Sequence, residues 1–133
     1  MSAESVTLAG RTAALELMRD RCDIARADAE PVTDPDTGVV TYPVGAPYYS
    51  GPCRVQLPNV AEREVDAAER EWTMQAARVD VPMSVTGVRV GDVVTVTAST
   101  LDPDLVVRKY TVVGLMHKTH ATARRLRCTE VVR

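Results

Sequence analysis

Polar and apolar residues alternate through residues 88–128, and this pattern predicts the centre of the fold. From Val94 to Ala98 every second residue is apolar, and the intervening residues are threonines. Such alternation is typical of a strand with one buried face, because successive side chains of a strand point to opposite sides. Valine-rich and leucine-rich runs at residues 106–116 and 125–132 predict two further strands. Short turns separate the three runs, so we expect an antiparallel meander in a small β-barrel or sandwich, with the rest of the chain packed onto it.

The same pattern predicts two breaks in the strands. The Gly-Asp pair at 91–92 separates a short alternating run at residues 88–90 from the strand that follows, which indicates two strand segments joined by a turn or bulge. The longest strand is predicted at residues 70–83, and its apolar phase slips between Ala76 and Val79. A β-bulge would produce that slip, because it adds one residue to one strand of a pair.

The part of the chain before the meander contains one helical pattern and several short strand patterns. The predicted segments are a helix at 5–19, strands at 21–28 and 53–57, an excursion at 29–51, and a loop or helical turn at 58–69. Ser2 or Ser5 would cap the helix, because a serine hydroxyl accepts a hydrogen bond from a free N–H of the first turn. We therefore divide the chain into a helical segment at 1–20 and a β domain at 21–133.

The excursion at 29–51 is the first candidate for function, because long connections inside compact domains are often functional. It contains the turn sequence Asp34-Pro-Asp-Thr-Gly and three of the four tyrosines, which suit interfaces because they contribute area at low entropic cost. The candidate interface residues there are Asp34, Asp36, Thr37, Tyr42, Tyr48 and Tyr49. The candidate basic interface is Arg124, Arg125 and Arg127.

Charge is distributed unevenly along the 133 residues, although the formal net charge is only −2. Residues 105–133 carry seven basic residues and one acidic residue, a net charge of +6, and residues 1–104 carry nine and seventeen, a net charge of −8. This polarity fits head-to-tail stacking with like or unlike neighbours, or a basic surface for DNA. A solvated arginine-rich hairpin would give the same counts, and the alternatives stay open here. No apolar run approaches the roughly 18 residues of a membrane span, so we expect no membrane partner.

Residues that could carry chemistry are sparse, and the pattern favours a protein that is not an enzyme. His117 and His120 are three residues apart and could form a metal site together with Cys128. No fourth ligand, however, stands at the spacing of a zinc site. Cys128 with His117 is formally a nucleophilic pair, yet Cys128 lies on the apolar phase of its strand. The acids at 62–71 are typical of a solvated face. We therefore expect no metal, no cofactor and no catalytic residue, with three cysteines buried as small apolar side chains in a protein made in a reducing cytoplasm.

Six motifs, taken in order over about residues 20–132, resemble the head-closure or head-to-tail stopper proteins of long-tailed bacteriophages, in particular those of actinobacterial phages. They are the strand at 22–27, Asp34-Pro-Asp-Thr-Gly-Val-Val-Thr, Tyr49-Ser-Gly-Pro-Cys-Arg-Val, the strand around Trp72 that ends in Val-Asp-Val-Pro82, Val88-Arg-Val-Gly-Asp-Val-Val and Leu101-Asp-Pro-Asp-Leu. Each motif is common by itself, so the resemblance depends on their order and spacing. The N-terminal helix is not part of that family's minimal barrel.

The resemblance implies a fold class that is mainly β: a small antiparallel β-barrel of about six to seven strands with long loops and a short N-terminal α-helix. It implies a ring of six or twelve copies in the virion neck, assembled in the host cytoplasm below the portal and adaptor. One loop of each copy would close the channel and contact packaged DNA without sequence specificity. In this chain the first candidate for that loop is the excursion at 29–51, and the second is the segment at 58–69. The ring would also dock the tail terminator or tail tube protein. The alternatives are a tail-completion or tail-terminator ring and a small nucleic-acid-binding barrel.

Overall fold

The structure is a computed structural model that describes residues 2–27, 32–41, 45–57 and 73–132. Its elements are α1 (Ala3–Glu16), β1 (Asp20–Ala25), β2 (Val32–Thr33), β3 (Val40–Thr41), β4 (Tyr49–Gln56), β5 (Thr73–Val81), β6 (Val93–Ser99), a 3₁₀ turn (Pro103–Leu105), β7 (Lys109–Met116) and β8 (Arg124–Val132). The helix described here is too short and too polar to cross a membrane. The predicted loop at 58–69, Tyr42 and Trp72 lie outside the described residues.

Six strands form a closed antiparallel barrel in the order β1-β4-β5-β8-β7-β6, with β6 pairing back onto β1. The predicted fold class is therefore confirmed, with an α-helix at the N-terminus and a separate two-stranded hairpin formed by β2 and β3. The predicted meander corresponds to β6, β7 and β8, which pair in sequence order. Closure satisfies the backbone groups that an open sheet would leave exposed at its edges.

The interior of the barrel is filled by alternate residues of all six strands. The side chains that are fully buried are Cys22, Ile24, Cys53, Val79, Val81, Val94, Val96, Val112, Leu126 and Cys128. Burying a valine or leucine side chain contributes roughly 1.5–3 kcal/mol, so this cluster supplies most of the apolar stabilisation. All three cysteines are free thiols inside the core, as predicted for small apolar side chains.

Helix α1 begins two residues and ends three residues earlier than its predicted range of 5–19. Ser2 is the N-cap, and its hydroxyl accepts a hydrogen bond of 3.1 Å from the backbone N–H of Ser5. The helix lies against the turn between β7 and β8, where Arg11 Nε donates to the carbonyl of Ala121 at 3.1 Å. The close approach is possible because Gly10 faces the Thr122 methyl group, 2.7 Å from where a Cβ would stand.

Two predictions about strand breaks are wrong. β5 pairs with β8 without interruption from Thr73 to Val81, so there is no bulge between Ala76 and Val79. Instead Ala77 takes the inward phase and Ala76 is exposed. The apolar pattern slipped because alanine occupies both faces, and its side chain gives little phase information. The register shifts that do occur lie between Arg21 and Cys22 and between Val112 and Gly114.

Residues 88–90 form no strand, contrary to the prediction. Val90 is exposed and stands at a turn with Gly91, whose φ of 97° is a left-handed conformation that glycine adopts readily. The turn is held by the backbone, since Gly91 N–H donates to the Val112 carbonyl at 2.7 Å and Val112 N–H donates to the Asp92 carbonyl at 2.9 Å. The Gly-Asp pair therefore immediately precedes β6, which begins at Val93, and residues 88–90 are not a separate strand.

Candidate interaction site

The excursion forms a small hairpin, β2–β3, whose described residues 32–40 are all exposed. Its turn closes through Gly38 N–H to the Asp34 carbonyl at 2.8 Å and Asp34 N–H to the Val39 carbonyl at 2.9 Å. The Asp34 carboxylate accepts from Asp36 N–H at 2.9 Å, and that bond, assisted by Thr37, lowers the pKa of Asp34. The predicted turn residues Asp34, Asp36 and Thr37 therefore lie together at an exposed, acidic tip.

The base of this excursion is fixed to the barrel by a buried carboxylate. Asp92 is 3% exposed and accepts from Arg26 Nη1 at 2.5 Å, from the Tyr48 hydroxyl at 2.6 Å and from Arg89 N–H at 2.9 Å. Arg26 also stacks on the Tyr48 ring, with its guanidinium carbon 4.5 Å from the ring centroid, and donates from Nη2 to the Gly87 carbonyl at 2.7 Å. We call Arg26, Tyr48 and Asp92 the anchor.

Backbone hydrogen bonds reinforce the anchor where the excursion returns to the barrel. Gly45 N–H donates to the Arg26 carbonyl at 3.1 Å, and Tyr48 N–H donates to the Ile24 carbonyl at 2.9 Å. Burial first, and the hydrogen bond to Asp92 second, raise the pKa of the Tyr48 hydroxyl above its ordinary value, so Tyr48 stays a neutral donor. The described residues that precede the hairpin at Arg26 and follow it at Gly45 and Tyr48 are therefore held against the barrel.

Tyr48 and Tyr49 are neighbours in sequence but have different environments. Tyr49 begins β4, which makes it part of the barrel wall and not of the excursion. Its hydroxyl donates to the carbonyl of Pro52 at 2.7 Å, and its ring packs against the core. Burial raises the pKa of Tyr49 to about 12. Of the three tyrosines predicted at the interface, Tyr48 is an anchor residue, Tyr49 is structural, and Tyr42 lies outside the described residues.

The predicted basic cluster is divided between two places. Arg124 is half-buried at one end of the barrel, where its Nε donates to the Val85 carbonyl at 2.9 Å. Arg125 and Arg127 lie on the outer face of β8, since the residues that alternate with them, Leu126 and Cys128, fill the interior. The structure therefore brings two of the three predicted arginines together.

Two further arginines, not predicted from the sequence, join them on the outer face. Arg78 pairs across the β5–β8 ladder with Arg127, and Asp80 pairs with Arg54 of β4 on one side and Arg125 on the other. Paired residues of adjacent strands project on the same side of a sheet. We call Arg54, Arg78, Arg125 and Arg127 the arginine wall.

A single buried carboxylate lies at the centre of the arginine wall. Asp80 is 6% exposed; its Oδ2 accepts from Gln56 Nε2 at 2.7 Å, and its Oδ1 is 3.2 Å from Arg78 Nε. That ion pair lacks hydrogen-bond geometry. Among the described residues Arg54, Arg125 and Arg127 form no ion pair, so the wall with Asp80 carries a net charge of +3. Only cross-strand register reveals this set, because its members are far apart in sequence.

The residues considered for metal binding or nucleophilic chemistry lie apart. His117 and His120 are exposed on the turn between β7 and β8, and Thr7 of α1 contacts His120 Nδ1 at 3.0 Å. Cys128 is 1% exposed in the core, and burial raises its pKa to about 12, which disfavours the reactive thiolate. No three His, Cys, Asp or Glu side chains within residues 2–27, 32–41, 45–57 and 73–132 are placed to hold one metal ion.

Comparisons with known proteins identify a family and a fold. Residues 10–129 match the model of DUF6093, a family of unknown function. No curated protein matches the chain. The solution structure of protein SF1141 from Shigella flexneri 2a is similar over 85% of this chain and 92% of that one, with 16% identity and a TM-score of 0.51. At that identity the likeness shows the fold alone.

A second solved structure is protein xkdH of the phage-like element PBSX from Bacillus subtilis. The match covers 84% of the present chain and 92% of xkdH, with 19% identity and a TM-score of 0.43. This score is too low to support an argument about fold or function.

Proposed function

We propose that this chain, which belongs to the DUF6093 family, is a structural protein of the head-to-tail connector of a tailed bacteriophage. Copies of it would form a ring of six or twelve below the portal and adaptor, in the virion neck. The ring would close the channel around packaged DNA and dock the tail terminator or tail tube protein. The ordered motifs that resemble head-closure proteins support this role, and so does the barrel with its projecting excursion.

The observation that carries the proposal is the anchored hairpin. Residues 32–40 are exposed and bear two carboxylates and three valines, while the chain on either side is fixed through Arg26, Tyr48 and Asp92. An exposed hairpin on a fixed base is suited to contact with other molecules. A channel barrier needs projecting segments held at a constant angle, and it needs no reactive side chain.

Reconstitution with neighbouring proteins tests the role. The purified chain is mixed with the portal–adaptor complex encoded beside its gene, or with tail tubes, and binding is measured by co-sedimentation and electron microscopy. We expect a ring on the portal–adaptor complex. Replacing residues 33–40 by Asn-Gly should make filled capsids lose DNA, measured as DNase-sensitive genome. Binding to tail tubes but not to portal–adaptor would support a tail terminator instead, and binding to neither would refute both.

The arginine wall favours a second candidate, a nucleic-acid-binding barrel module. Four outward arginines could neutralise phosphates, and each neutralised phosphate steepens the dependence of affinity on salt. The wall has no aromatic side chain on its described positions for stacking on bases. Fluorescence anisotropy with a 20-base-pair duplex and with a single strand, at several salt concentrations, separates the two functions. A connector subunit should bind weakly and the module tightly.

A further inference from the structure

We propose that the arginine wall of one copy binds the acidic hairpin, residues 32–41, of a second copy. This inference rests on the proposed ring and adds which two faces meet. The contact is heterologous, since a hairpin on one copy meets a wall on the next, and heterologous contacts close into rings when their rotation allows. The proposed partner is another copy of this chain.

Charge is the first reason for the pairing. The wall with Asp80 carries +3, and residues 32–41 carry two acids and no base, a net charge of −2. Within the described residues no ion pair or hydrogen bond links Asp34 or Asp36 to an arginine of the wall. The two charges are therefore available to different molecules. Opposite patches of this kind steer association and fix its register.

Apolar surface is the second reason. Met116 of β7 pairs with Arg125, and Val113 is the bulged residue beside Gly114, which pairs with Arg127. Both side chains are about half exposed, at 48% and 46%. The hairpin offers Val32, Val39 and Val40 with similar exposure. Arginine and methionine are enriched in protein interfaces, so the combination favours a protein segment over a phosphate backbone.

The ion pair at the centre of the wall is consistent with a partner that arrives from outside. Arg78 Nε and Asp80 Oδ1 are buried, yet neither has a hydrogen-bond partner among the described residues. Buried polar atoms are nearly always paired in a finished structure, and an unpaired one calls for an explanation. The Arg78 side chain is 30% exposed, so a carboxylate from a second copy can reach its exposed part while the buried Nε stays beside Asp80.

Disulfide trapping with the isolated chain tests the contact. Thr37→Cys places a thiol at the hairpin tip and Met116→Cys places one beside the wall, and neither removes a charge. The native thiols are at most 1% exposed and should not compete. We expect the two variants, mixed under mild oxidation, to form a heterodimer about tenfold faster than T37C mixed with Leu8→Cys on α1, because contact raises the local thiol concentration. A double variant, T37C/M116C, should give a ladder of oligomers.

Charge reversal identifies the groups involved. Asp36→Lys on the hairpin copy and Arg127→Glu on the wall copy should each slow trapping several-fold, and the two combined should restore it. Glu16→Lys, the same reversal on α1, is the matched control, and circular dichroism checks that every variant folds. Trapping no faster than the L8C control, or slowed equally by E16K, would overturn the proposal.

Two alternatives to the hairpin as occupant of the arginine wall would give different results in these experiments. Wall-dependent binding of duplex DNA, lost in R127E, without trapping would assign the wall to nucleic acid. Trapping at the rate of the L8C control that rises in E64Q/E69Q and is insensitive to D36K would assign the wall to the acidic segment of the same chain. Each of these outcomes overturns the hairpin contact. Because trapping uses the isolated chain, its failure leaves the connector role to be decided by portal–adaptor binding.

Discussion

Asp92 is the residue whose loss should release the excursion from the barrel. It is 3% exposed and accepts three hydrogen bonds, two of them from the anchor partners Arg26 and Tyr48. Asp92→Ala leaves the Arg26 guanidinium without its carboxylate. Removing one partner of a buried pair costs about 3–5 kcal/mol, and the Arg26 side chain is 29% exposed, so we expect the lower end, about 3 kcal/mol. Domains of this size unfold with about 5–15 kcal/mol, so the variant should still fold.

A double-mutant cycle separates the Tyr48 bond from the rest of the anchor. Tyr48→Phe removes one hydrogen bond to a carboxylate and should cost about 1.5 kcal/mol. In the D92A background the acceptor is absent, so the same substitution should cost little. The expected coupling energy is therefore about 1 kcal/mol or more. Tyr49→Phe is the matched control, because its hydroxyl bonds to Pro52 and not to Asp92, and its effect should add to that of D92A.

Urea unfolding measures these free energies, and amide hydrogen exchange shows where the structure loosens. The Gly45 amide donates to the Arg26 carbonyl and the Tyr48 amide donates to the Ile24 carbonyl of β1. Both should therefore exchange faster in D92A and Y48F, while the Val79 and Leu126 amides change only with global stability. Additive effects of Y48F and D92A, or a cost of D92A below about 1 kcal/mol, would refute the view that Asp92 fixes the excursion.

Three further predictions concern the rest of the fold. Val107 is β-branched with φ of 67°, so Val107→Gly should relieve strain and raise the free energy of unfolding by about 1 kcal/mol. Gly10→Leu should clash with Thr122 and loosen α1, so that helix amides exchange faster while the urea midpoint of the barrel barely moves. Cys128 should lower stability as pH rises from 9 to 12, because its unfolded thiol ionises near 9.0 while burial holds its folded pKa at about 12. Its own share of the slope is about 1.4 kcal/mol per pH unit.

Each of these predictions has a matched control. Val113→Gly, at a position whose φ is not positive, should destabilise, and a gain there equal to that of V107G would remove the strain argument. Ala13→Leu on the exposed side of α1 should leave helix exchange unchanged. Cys128→Ala should reduce the slope of the stability curve between pH 9 and 12, and the remaining slope comes from groups such as Tyr48 and Tyr49, whose pKa values are also raised. An unchanged slope would show that Cys128 is not responsible.

The fold was largely predictable because its apolar residues alternate cleanly where strands are half-buried. Residues 94–98 and 125–132 fall in β6 and β8, and the free cysteines lie on the inner face as expected. The pattern failed at Ala76 and Ala77, where similar small residues occupy opposite faces. It also failed at 88–90, because alternation cannot distinguish a strand from an extended segment that lacks a pairing partner.

The candidate site was predictable only where its residues are close in sequence. The turn at Asp34 and Asp36 follows from local turn chemistry, and Arg125 and Arg127 stand two apart on one strand. Arg54 and Arg78 join them only through strand register, which long-range pairing determines. Asp92 was interpreted as a turn residue, since its partners Arg26 and Tyr48 are 66 and 44 residues away.

Closure of the barrel limits how copies of this chain can associate. Each of the six barrel strands is paired on both sides, so strand addition to the barrel has no free edge to use. A two-stranded hairpin is marginally stable by itself, and β2–β3 therefore depends on its attachment for a fixed direction. The described part of that attachment is the anchor, in which Arg26 before the hairpin and Tyr48 after it both bond to Asp92. An assembly built on the hairpin should thus be more sensitive to Asp92, a buried residue with no surface to offer a partner, than to any single side chain at the hairpin tip.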